Sequence, residues 1–199
     1  ITLGADWIST NLNYEQGGNQ VPANQTDIAQ LLLGYQFILK DKYGQTSFST
    51  DNYWSPGGVD PHNTSAAFRQ VDPRTSASYY YSVLHLQRET ILPHGCSFVS
   101  LITGQLASTT LISNEQLSIG GYGTVRGYPQ TLLFGDRGFY LNMELRSPTY
   151  SLFGLTRQKE DSESGLLKKL HHDELMFLAF WDYGLVNSIQ PLPGDPASY

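Results

Sequence analysis

Residues 136–147 alternate side chain by side chain: Phe139, Leu141, Met143 and Leu145 fall on one face, and Tyr140, Asn142, Glu144 and Arg146 on the other. A period of two belongs to a β-strand whose faces meet different surroundings, one apolar and one wet, and a helix does not produce it. Residues 30–40 repeat the pattern, with Leu31, Leu33, Tyr35, Phe37 and Leu39 set against Gln30, Gly34, Gln36 and Lys40. Further strands are expected at 2–9, 45–54, 77–92, 96–108 and 173–184, with 45–54 weakly patterned and Tyr79 to Tyr81 carrying two mixed faces. A soluble sandwich and a membrane barrel share this alternation, so the connections must separate them.

The connections alternate too. Asp41-Lys42-Tyr43-Gly44 and Leu92-Pro93-His94-Gly95 read as short glycine-bearing turns, whereas 11–29, 55–76 and 108–135 read as long polar loops. Short turns at one end and long loops at the other are the up-and-down rhythm of an outer-membrane barrel, and by this parity the 108–135 loop is extracellular. The charged stretch 148–172, with Arg157-Gln158-Lys159-Glu160-Asp161-Ser162-Glu163, breaks the rhythm on the short-turn side. It reads as a solvated insertion, with a short helix at 164–170. No internal repeat or low-complexity tract is visible.

Composition permits this reading. The formal charge of −6 and 15% charged residues, with a mean hydropathy of −0.30, look soluble, but barrel strands average out their lumen and lipid faces. The longest apolar run, residues 175–181, is far short of the ~20 residues a membrane-spanning helix needs, while ~9–11 suffice for a strand. The 13 Tyr, 9 Phe and 3 Trp suit strands and interfacial aromatic girdles. Cys96 is single and forms no internal disulfide. The 12 Lys and Arg are scattered, which argues against a nucleic-acid partner. The chain opens on Ile1-Thr2-Leu3 without Met, basic region or apolar export signal, which reads as truncation and not as cytoplasmic residence.

One constellation is more specific. Glu115-Gln116-Leu117-Ser118-Ile119-Gly120-Gly121 is followed by Val125-Arg126-Gly127-Tyr128, Gly135-Asp136-Arg137-Gly138 and Glu144-Leu145, and later by Phe180-Trp181-Asp182. In this order the elements resemble the TpsB transporters of the haemolysin secretion/activation type. The likeness is specific over 111–147 and at 177–184, and rests on strand rhythm alone upstream. It implies an all-β fold, a transmembrane antiparallel up-and-down β-barrel, of which residues 1–199 form about seven strands out of sixteen as one partial barrel domain. It further implies a long inward-folded loop at about 108–135 whose Arg126 pairs with Asp182 on the strand bearing Phe180. A guanidinium folded into a lumen loses water and must regain a carboxylate. Asp182 shares an inward face with Phe180 and Leu178, while Phe177, Ala179, Trp181 and Tyr183 face outward. Gly120, Gly121, Gly123 and Gly127 would let the loop bend tightly against the wall.

The implied function is secretion across the bacterial outer membrane of a large partner exoprotein, recognised in the periplasm by POTRA domains, by a monomer in the lipid bilayer with no cofactor, metal or catalytic residue. An outer-membrane insertase of the wider superfamily is the near alternative; a passive porin and a soluble carbohydrate-binding sandwich stand further off. This chain carries no recognisable POTRA segment or terminal aromatic strand and reads as an internal fragment, so an open, curved antiparallel sheet with two unpaired edges is expected. Other chemistry is thin. Adjacent His171 and His172 point apart on a strand, beside Asp173, and make no metal site. Ser113, Ser118, His62, His85 and His94 lack a nucleophile elbow. Residues 121–127 have the wrong glycine spacing for a dinucleotide loop. Asp51, Asp60 and Asp72 read as loop acids without a paired-carboxylate arrangement, with calcium left open.

Overall fold

A computed structural model describes residues 1–16, 19–151 and 174–191, with side chains outside 11–24. Seven long strands form one antiparallel sheet in the order β1 (Thr2–Gln16), β2 (Asn19–Asp41), β3 (Gly44–Ser55), β4 (Tyr79–Ile91), β5 (Ser97–Ala107), β8 (Arg137–Arg146) and β9 (Leu178–Asn187). Each pairs with its sequence neighbour, and the sheet is open, with β1 and β9 at its edges. This is the expected up-and-down all-β arrangement. A small second sheet, β6 (Leu117–Ile119) with β7 (Leu133–Gly135), lies within the β5 to β8 connection.

The alternation is carried across the whole sheet by register. Leu31 faces Trp54, Trp54 faces Tyr80, Leu86 faces Ile102, Ile102 faces Leu141 and Leu141 faces Tyr183, so one face is apolar from strand to strand. That face is uncovered: Leu33, Leu106 and Trp181 are 49%, 69% and 53% exposed. A soluble protein does not leave so wide an apolar surface in water, and no second sheet covers it among the described residues. It is the face for lipid. Trp54 and Tyr80 are paired at its long-loop end, with Trp7 on the same face two strands from Trp54, where interfacial aromatics belong. At the short-turn end Arg88 pairs outward with Asp41 at 2.7 Å and Thr46 at 2.9 Å. Thr46 to Trp54 is close to the ~9–11 residues of a transmembrane strand.

Several expectations are corrected. The loop expected at 11–29 is strand: β1 and β2 continue in register through Gln16↔Asn19. With 23 residues, β2 is on the order of 75 Å long, well beyond the ~25 Å apolar band, so its far part projects past the bilayer. There ladder hydrogen bonds hold the hairpin and apolar alternation is not required, which is why a hydrophobic pattern misses it. Asp51 sits within β3, paired opposite Gly34 and Val83, and is not a loop acid. The 55–76 loop contains a helix, α1 (Ser65–Val71), started by Thr64, whose hydroxyl accepts from the Ala67 N–H. The last strand begins at Leu178, not near 173, although Leu175 forms a lone bridge with Tyr150. The helix expected at 164–170 and the His171–Asp173 group lie outside the described residues, as does most of 148–172.

Two apolar clusters sit on the inner face. Ile28, Phe68 of α1, Tyr79, Tyr81, Ala107, Leu111 and Ile112 form one, and Leu117, Ile119 and Val186 the other. Both are built where a long loop folds back onto the sheet.

Candidate functional site

The β5 to β8 connection descends onto the inner face. Its ends are β6 and β7; its neck is Gly120 and Gly121, with φ of +112° and +94°, opposite Thr131 at +56°. A Cβ on Gly120 would lie 2.5 Å from the Pro129 carbonyl oxygen, so the neck needs glycine for conformation and for space. Beyond the neck, Val125 and Arg126 reach the wall formed by β8 and β9.

The contact is dense. Arg126 Nε donates to Asp182 Oδ2 at 2.6 Å and Nη2 to Oδ1 at 2.6 Å, a bidentate fork, while the Arg126 backbone N–H donates to Oδ2 at 3.0 Å. Nη1 donates to Glu144 Oε1 at 2.5 Å. Glu144 Oε2 in turn accepts from Arg146 Nε at 3.0 Å. Asn142 Nδ2 donates to Asp182 Oδ1 at 2.9 Å and also to the Thr124 carbonyl. The Arg126 guanidinium lies 3.9 Å over the Phe180 ring. Register explains the convergence: Asn142 faces Asp182 and Glu144 faces Phe180, so all four share the inner face. The Asp182 side chain is 3% exposed and that of Arg126 12%. Two guanidinium groups against two carboxylates leave the cluster neutral, which is what lets these charges lose most of their water.

Gly184 makes the close approach possible. A Cβ there would lie 2.9 Å from Val125 Cγ2 and 3.1 Å from Ile119 Cδ1. The other motif residues are placed differently. Gly127 has φ of +89° and open space around it, and Tyr128 is exposed, as is Tyr122. Pattern reading places Asn142, Glu144 and Arg146 together on the polar face without giving any of them a partner.

At the loop's foot, Asp136 is fully buried and gathers three strands of chain: Oδ1 accepts from the Leu111 N–H at 2.9 Å and from Gln116 Nε2 at 2.9 Å, and Oδ2 from the Ile189 N–H at 2.8 Å. Glu115, also buried, accepts from the Tyr81 hydroxyl and from Gln30 Nε2 at 3.3 Å. Elsewhere the structure brings Asp60 and His62 to Asp27 of β2, with His62 Nδ1 3.6 Å from Asp27 and 3.9 Å from Asp60. Asp27 was hidden from pattern reading by its placement in a presumed loop. Asp72 is paired with Arg74. The Ser9 hydroxyl also donates to Asp27 Oδ1 at 2.6 Å.

An inner-face loop pinned by an arginine and an uncovered apolar outer face are the parts of a membrane-barrel wall. The family model for haemolysin secretion/activation proteins ShlB/FhaC/HecB matches residues 3–161. The chain belongs to this family. It is also similar to the outer membrane transporter CdiB of Dickeya dadantii (strain 3937), 31% identical over 77 residues, which is 39% of this chain and 12% of that protein. The chain thus matches about an eighth of the length of that relative. No solved structure matches it significantly. Membership in the ShlB/FhaC/HecB family places the chain in the bacterial outer membrane.

Proposed function

We propose that this ShlB/FhaC/HecB-family chain supplies part of the wall, and the latch, of a transporter that secretes a large partner exoprotein across the outer membrane. The observation that carries the reading is the bidentate Arg126–Asp182 pair, which ties an otherwise exposed loop tip to the inner wall. A buried fork of this kind has two defined states, made and broken, and little in between. With the pair made, the loop occupies the space beside β8 and β9; with it broken, that space is free for an extended polypeptide. The inner wall suits such a passenger, since Gln36, Ser49, His85 and Gln87 offer hydrogen bonds without strong charge. The work is conformational and needs no cofactor.

Secretion of the partner, measured in cells carrying the whole transporter with Arg126→Asp, Asp182→Arg, or both, tests the latch. Each single change puts like charges together and should abolish most secretion. The double change should recover part of it, and only part, because Glu144 still faces position 126. Equal loss in all three would count against the pair, and unaltered secretion in the singles would overturn the reading.

A further inference from the structure

The loop that carries Arg126 is bound to the barrel wall by two fastenings of different chemistry, and they meet at the neck formed by Gly120, Gly121 and Thr131. The tip beyond the neck, residues 121–131, is held almost wholly by the Arg126 cluster, with Val125 against Gly184; its Tyr122 and Tyr128 are 87% and 59% exposed. The root before the neck is held by burial. Leu111, Ile112, Leu117 and Ile119 are all 9% exposed or less, packed in the two inner-face clusters. Within that packing Glu115 accepts from Tyr81 and Gln30, and Gln30 accepts from the Tyr79 hydroxyl at 2.9 Å. Gln105 of β5 donates to the carbonyl oxygens of both Glu115 and Asp136, at 3.0 and 3.4 Å, and so clips the loop's entry to its exit.

We infer that the tip is released alone, and that Glu115 and Asp136 are positioning residues which keep the root docked while Arg126 lets go. The physical reason lies in what each fastening loses on opening. The tip gives up one ion-pair cluster and exposes little apolar surface, because Tyr122 and Tyr128 are already in solvent. Opening the root would expose four aliphatic side chains and strip a buried carboxylate and its neutral donors of their partners, a far larger penalty. The left-handed residues between them bound two stretches that open at different free energies. A root that stays put returns the tip to Asp182 after each passage.

The proposal takes its role in transport from the latch reading; the mechanical division stands without it. The test is hydrogen exchange on the full-length transporter in lipid nanodiscs, with heat-modifiable gel mobility to establish that each variant barrel is folded, together with secretion of the partner in cells. In Arg126→Ala, amides of 121–131 should exchange faster while 111–119 keep wild-type protection. In Tyr81→Phe, which preserves the ring stacked on Tyr53 and removes only the hydroxyl, and in Glu115→Ala, amides of 111–119 should exchange roughly tenfold faster or more, the effect of losing a hydrogen bond to a buried charge, and secretion should fall. Glu115→Gln, whose amide oxygen still accepts from Tyr81, should restore most of both. Loosening of 111–119 together with 121–131 in Arg126→Ala, or unchanged protection of 111–119 in Tyr81→Phe and Glu115→Ala, would overturn the division. Wild-type secretion in Arg126→Ala, with exchange divided as expected, would sink the latch reading and leave the division standing.

Discussion

Arg126 is the residue on which the inner face turns, and its guanidinium is used almost completely. Two nitrogens go to Asp182, one to Glu144, and the flat face lies on Phe180. A lysine would keep the charge but lose the fork, the second carboxylate and the stacking together. Arg126→Ala should therefore cost the docked tip about 3–5 kcal/mol, since Asp182 would be left buried and unpaired, and Arg126→Lys should retain only part of that. Melting of the purified barrel, followed by loss of heat-modifiable mobility, measures the ranking; a lysine variant as stable as wild type would show that charge alone suffices. The inward facing of Asp182 follows from the alternation of Trp181, Asp182 and Tyr183. That Glu144 also meets Arg126 depends on the register of β8 against β9, which nothing local encodes.

At the scale of elements, the strands with a strict apolar period were legible and those with a polar one were not. β8 and the lower part of β2 could be drawn from their side chains, whereas the far parts of β1 and β2 are held by ladder hydrogen bonds above the bilayer, where polar residues serve as well. The 55–76 stretch hid α1 for a related reason: a seven-residue helix has too short an apolar period to see, and what fixes it is Phe68 buried against strands β2 and β4. That loop is also tied down by charge. Arg74 holds the Asp72 carboxyl below its usual range by a fork with contacts of 2.9 and 2.6 Å, and reaches on to the Gln190 carbonyl oxygen at 2.8 Å. A depressed acid contributes stability above its unfolded pKa of about 4 and loses it as pH falls through its lower folded value. Acidification to below pH ~4 should thus loosen the loop's hold on residues 188–191. Because the pair is about a quarter exposed, solvent screens it and the effect should be small. Limited proteolysis of the 56–78 loop against pH, in wild type and Asp72→Asn, reads it; the variant should be loose at all pH values, and identical profiles would refute the link.

Across the whole molecule the sheet is a wall with two solvents. Register keeps a continuous apolar row from all seven strands on one face and the loops, the Arg126 cluster and the buried acids on the other. A lipid-borne photoreactive probe should therefore label Leu33, Leu106 and Trp181 in the assembled transporter and spare Gln30, Tyr79 and Asn142. Equal labelling of both sets would mean that the faces are not lipid and lumen. The amino-acid sequence by itself determined the class of the fold, the direction in which each well-patterned side chain points, and the motif that marks the inward loop, because alternation and glycine placement are local properties of a strand and a turn. Only the tertiary structure decided which partners meet. Arg126 lies 56 positions from Asp182, and Glu115 lies 34 from Tyr81 and 85 from Gln30. Contacts at that distance are made by strand register and by the path of a loop across the sheet, and those are settled by the cooperative packing of the whole wall.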